Sequence, residues 1–133
     1  MASPSWPRLV AGSLLSAAAG GAIIAVLLQP RRRLRHIVAL RFRDVTDGAT
    51  IADLEAGFRA LRQAIPQVRD LKWGHNSSKE GRSRGLTHVF ELEMDSAADV
   101  EAYLVHPAHA AFVERLLPHL DDVCVVDYTP HRE

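Results

Sequence analysis

The run AYLVHPAHAAFVE, residues 102–114, sets Tyr103, His106 and His109 around a single proline. Phenols and imidazoles are side chains from which acid–base catalysts are built, and imidazole is the one that titrates near neutral pH. Pro107 fits the first position of a helix, where its missing N–H costs nothing, so His106 falls at the cap and His109 in the first turn. The positive end of the helix dipole disfavours a second positive charge, which predicts a neutral His109 able to accept a proton. On a continuous helix the six-residue separation would keep Tyr103 and His109 apart, whereas a bend at His106 and Pro107 lets them meet. A plainer reading stands beside this one: a cap and a stop, with His109 bonded to a backbone carbonyl and Tyr103 packed in the core.

The chain has seven histidines among 133 residues. His36 opens an alternating run and His88 another, and each is open to the reading of a satisfied, half-buried strand residue. On antiparallel neighbouring strands they would lie near opposite ends, roughly 15–20 Å apart at about 3.4 Å per residue, too far to touch one small acyl group. His75, His119 and His131 read as solvated, Asp121 and Asp122 as a solvated turn, and Asp127 as a strand-end residue.

The elements that must position these groups follow from periodicity. Residues 36–43 alternate, with His36, Val38, Leu40 and Phe42 on one face, and predict a strand. Thr50 offers a cap with Asp53 three residues on; Ile51, Leu54, Phe58, Leu61 and Ile65 then recur at helical spacing until Pro66. VRDLKWG predicts a second strand, 74–85 a polar loop, and LTHVFELEM a third strand with His88, Phe90, Leu92 and Met94 sharing a face. Ser96 caps a helix running to about Val105, a short helix follows from Pro107, and VCVVDY closes the chain as a strand. The order β, α, β, β, α, β is that of an α+β ferredoxin-like unit, an antiparallel sheet with helices on one face. The other face is expected to be apolar and to be covered by a second copy, giving a homodimer through the sheet.

Ahead of this domain, residues 9–28 carry no formal charge and have about the length that spans a bilayer, predicting a transmembrane helix. Residues 1–8 form a short tail, and 29–35 a basic linker whose RRRLR run points to a cytoplasmic domain behind a single-pass membrane anchor. A signal peptide cleaved on export and an organelle-targeting segment are the alternatives. Residues 131–133 are a tail. The formal net charge of +0 gives no reason to expect a nucleic-acid partner. The single cysteine excludes an intramolecular disulfide, and Cys124 reads as a buried strand residue. No cofactor motif of the GxGxxG or P-loop type occurs, and the His106–His109 pair lacks a third ligand, so neither cofactor nor metal is expected.

RHIVALRFRD, the WGHNSS loop entry, GLTHVFELEM, AYLVHPAHAAFVE and the terminal VVDYTP, in that order, resemble the stress-responsive A/B barrel (Dabb) domain family, with its olivetolic acid cyclase-like plant members as the nearest pattern. The resemblance spans residues 35 to 130 and implies a dimeric α/β barrel over a domain of residues 36–130. It also implies site residues: Tyr103 as the hydroxyl that holds a carbonyl, His109 as the base, and His36 and His88 beside them. Trp73, Phe90 and His106 are expected to contact the ligand. The favoured expectation is a membrane-anchored homodimer of this family that binds a small apolar or amphipathic molecule. The alternative is a cofactor-free polyketide cyclase-like enzyme performing an intramolecular aldol condensation with His109 and Tyr103.

Overall fold

The computed structural model describes residues 31–133. The expected membrane segment at 9–28 lies outside the described residues; among them, no helix is long and apolar enough to cross a membrane. The elements run β1 (Leu34–Phe42), α1 (Gly48–Ala64), β2 (Asp70–His75), β3 (His88–Met94), α2 (Ala97–Leu104), α3 (Pro107–Leu116), a single 3-10 turn (Leu117–His119) and β4 (Leu120–Tyr128). The four strands form one antiparallel sheet in the order β2-β3-β1-β4, so the βαββαβ expectation describes the fold.

Alternation on β1 and β3 sends His36, Val38, Leu40 and Phe42, and Phe90, Leu92 and Met94, toward the helices. Against them α1 packs Leu54, Phe58 and Leu61. This helix starts earlier than Thr50: the Asp47 carboxylate accepts from the Thr50 backbone N–H at 2.8 Å and from the Thr50 hydroxyl at 2.9 Å. A carboxylate is the better cap here because it also meets the positive helix end, and those hydrogen bonds hold Asp47 below its ordinary pKa. The helix stops where Pro66 forces Ile65 into extended backbone, φ −120° and ψ 111°. Gly57 lets α3 come close, since a Cβ there would meet the Phe112 ring at 3.0 Å. That contact seats α3, and with it His109, against α1.

The uncovered face is not the apolar surface expected. Arg35 pairs with Glu91 at 2.9 Å and with Glu93, and Lys72 approaches both Asp70 and Glu93, so charge covers its β2–β3–β1 part. Cross-strand ion pairs keep that surface in water at little net cost. Apolar exposure is confined to the β4 side, where Val126 is 51% and Tyr128 48% exposed. Cys124 pairs with Ala39 there and is exposed, not buried.

Candidate active site

α2 is capped by Ser96 and ends at Leu104; His106 then accepts a hydrogen bond from the Ala108 N–H through its ring Nδ1 at 3.1 Å, with Pro107 opening α3. The bend folds Tyr103 and His109 together, with ring centroids 4.5 Å apart. His36, from the start of β1, packs its edge against the other side of Tyr103 at 5.5 Å. These three rings line a cavity of about 300 Å³ whose remaining wall is largely apolar, including Val38, Phe58, Phe112, Val123 and Val125.

The protonation states are set by the surroundings. His109 Nδ1 lies 3.1 Å from the Leu104 carbonyl oxygen, an acceptor only, so Nδ1 carries the proton and Nε2 holds the lone pair in the neutral ring. Burial, partly offset by that carbonyl and aided by repulsion from His36, holds the His109 pKa below its ordinary value. The positive N-terminal end of α3 acts in the same direction. Burial drives the Tyr103 phenol pKa upward, so the group stays protonated as a hydrogen-bond donor. Tyr103 is 1% exposed.

Asp127 completes the group. It lies near the end of β4, as expected, but stands directly opposite His36 in the β1–β4 register, with its carboxylate 2.6 Å from His36 Nδ1. A carboxylate accepting the Nδ1 proton orients the ring and selects its tautomer.

The other expected site residues are elsewhere. His88 faces Leu40 across the β1–β3 pairing, four positions from His36 and so about 14 Å along the strand, and it does not line the cavity. It meets His75 and Glu55 instead: the carboxylate oxygen Oε1 of Glu55 lies 2.9 Å from His75 Nε2 and 3.1 Å from His88 Nε2. His75 is exposed, as the solvated reading expected, and is also partnered, because β2 extends through it. Phe90 does not line the cavity; the Phe58 ring, which does, stacks on it at 3.9 Å. Trp73 lies beyond Phe90, stacked at 5.8 Å with Arg59 over its ring, in a separate groove on the outer side of α1. His106 uses Nδ1 for its capping bond and does not line the cavity.

Sequence comparison matches the Stress responsive A/B Barrel Domain profile to residues 34–130. A stress-response A/B barrel domain-containing protein of Arabidopsis thaliana is 34% identical over 97 residues, 73% of this chain and 89% of that protein. The olivetolic acid cyclase of Cannabis sativa is 26% identical over 99 residues, 74% of this chain and 98% of the cyclase. Among solved structures, the hydroxynitrile lyase of Passiflora edulis superposes with a TM-score of 0.72 at 25% identity, covering 78% of this chain and 98% of the lyase. With the profile spanning the whole ferredoxin-like sheet and its helices, the chain belongs to the stress-responsive A/B barrel domain family.

Proposed function

We propose that the protein is an acid–base enzyme that makes or breaks a carbon–carbon bond beside the carbonyl of a small, largely apolar substrate. The observation that carries this is the pairing, on one apolar cavity, of an imidazole with its lone pair at Nε2 and a phenol held protonated. His109 Nε2 takes a proton from the carbon next to a carbonyl, and the electron pair moves onto the carbonyl oxygen, which accepts a hydrogen bond from Tyr103. In a cyclisation the resulting enolate carbon attacks a second carbonyl of the same molecule, and the new alkoxide takes the proton back from His109. Asp127 orients His36, whose ring packs edge-on against Tyr103. The cyclase and lyase among the similar proteins support this reading over ligand binding alone. The cavity volume, at the lower end of the roughly 300–1,000 Å³ typical of ligand pockets, favours a compact substrate.

Two probes test it: ring closure of a linear poly-β-keto thioester, and release of aldehyde from an aromatic cyanohydrin. His109-dependent turnover of either supports the assignment; neither turnover nor His109-dependent deuterium exchange beside the carbonyl sinks it. Tyr103→Phe keeps the ring packing and removes only the hydroxyl, so turnover is expected to fall on the order of 10²-fold with an unchanged melting temperature. A purely structural Tyr103 would give the opposite pattern.

The same reading includes a homodimer. β4 is an edge strand with exposed Val123, Val125, Val126 and Tyr128, a surface that a monomer leaves in water. Three solved structures of the same fold are dimeric ferredoxin-like proteins. Light scattering is expected to give twice the chain mass, and a monomer at micromolar concentration contradicts it. Anchoring through residues 9–28 predicts that the full chain sediments with membranes while a chain starting at Arg31 does not; equal partition of the two rules the anchor out.

A further inference from the structure

On the sheet's helix-covered side, away from the Tyr103–His109 cavity, three chain segments converge. α1 supplies Glu55, the last residue of β2 supplies His75, and the first residue of β3 supplies His88. The two histidines are direct cross-strand partners, with ring centroids 4.6 Å apart, and both point Nε2 at the same Glu55 oxygen. The three donor atoms lie within 4.8 Å of one another. We propose that Glu55, His75 and His88 form a binding site for a zinc-class divalent transition-metal ion that ties α1 to the β2–β3 hairpin.

The donor set is two imidazoles and a carboxylate, a composition that suits zinc and its neighbours better than calcium or magnesium, which take oxygen ligands. Bonds of about 2.0–2.1 Å in tetrahedral geometry place donors about 3.3–3.4 Å apart. The observed separations of 2.9 and 3.1 Å are a few tenths of an ångström shorter, and small side-chain rotations open them to that spacing. The ion would replace the two ring protons that now face the Glu55 oxygen.

The surroundings suit a ligand set. The Thr87 hydroxyl lies 2.7 Å from His88 Nδ1, where it can accept that nitrogen's proton and turn Nε2 into the ligating atom. Glu55 and His88 are shielded, with side chains 14% and 12% exposed, whereas His75 is 63% exposed. The site is thus open on the His75 side, where a water or an external ligand can complete the coordination. None of the three residues lines the Tyr103–His109 cavity, so the proposal stands independently of the catalytic reading.

Calorimetric titration of the chelator-stripped full chain with Zn²⁺ at neutral pH tests it, together with the visible absorption of added Co²⁺. The expected result is one ion per chain with the spectrum of a four- or five-coordinate cobalt centre. Because outer-shell changes alone weaken metal sites about 10–100-fold, loss of a ligand in His75→Ala or Glu55→Gln is expected to weaken binding by at least about a hundredfold. His119→Gln, a change of a histidine outside the cluster, leaves it unaltered. His75 is exposed enough that its replacement leaves the fold intact, so the test does not hinge on His88. Absence of Zn²⁺ binding tighter than millimolar, or binding equally strong in His75→Ala and Glu55→Gln, overturns the proposal.

Discussion

Replacing His109 with alanine is expected to lower turnover about 10²–10⁴-fold, the span that a positioned general base contributes, while leaving the melting temperature nearly unchanged. The side chain is half-buried at the start of α3, and its loss removes one bond to the Leu104 carbonyl, which can then turn to solvent. Its core neighbour Tyr103 keeps the His36 ring packed against it. His109→Gln keeps a donor for Leu104 but offers no basic nitrogen, so it separates the two roles: recovery of activity in this variant would mean that His109 only fixes the bend.

The pH profile makes the same claim in another observable. With its pKa held below the ordinary value of 6.5 by burial, His109 is neutral over most of the range where free imidazole begins to protonate. Activity is expected to rise through an acid limb lying below that of free imidazole and then to stay level. The alkaline limb is displaced upward, because burial keeps the Tyr103 phenol protonated beyond its ordinary pKa of 10.0. The linkage to stability has matching signs. His109 and His88 both bind protons less readily folded than unfolded, so their contribution is fully present above the unfolded imidazole pKa and is lost as pH falls toward the folded values. Tyr103 acts at the other end: its contribution is present below the unfolded phenol pKa and is lost as pH rises beyond it. An acid limb at or above the position of free imidazole would contradict the desolvated base.

What could be read in advance divides by distance along the chain. Tyr103 and His109 are six residues apart and the proline between them shows the bend, so their meeting needed only local rules. The strands and helices were legible for the same reason, because alternation and helical spacing are properties of short windows. Asp127 is 91 residues from its partner His36, and no local pattern marks it. The available signal was topological: in antiparallel β1 and β4, the first inward residue of one strand faces the last inward residue of the other. Glu55 sits next to Leu54 on the flank of the α1 stripe, where a carboxylate normally reads as solvated. His75 looked like a loop residue because WG followed by polar residues resembles a turn, yet its backbone pairs with His88. The charge on the uncovered face was visible as Arg35, Glu91 and Glu93, but only the register shows that they answer one another across β1 and β3.

Phe90→Ala is expected to cost about 3–5 kcal/mol, the range for deleting a buried phenylalanine whose surroundings cannot collapse. The residue is 1% exposed, with the Phe58 ring parallel to it at 3.9 Å and Trp73 nearly parallel at 5.8 Å. Its removal takes the support from both rings at once, and the sheet backbone beneath cannot move in to fill the space. A domain of this size has roughly 5–15 kcal/mol in total, and each kcal/mol lowers the melting temperature by about 4–8 °C, so the variant is expected to be marginal near body temperature. Phe90→Leu retains most of the volume and is expected to lose less than about 2 kcal/mol. The consequence reaches the active site through Phe58, which lines the cavity and also meets Phe112 edge-on at 5.3 Å. With Phe90 gone, Phe58 can shift toward β2, widening the cavity on the side away from His109, so activity surviving at low temperature should show a raised KM. Were Phe90 itself a ligand contact, Phe90→Ala would raise KM while leaving thermal melting intact; thermal melts of the variant beside its kinetics decide between the two.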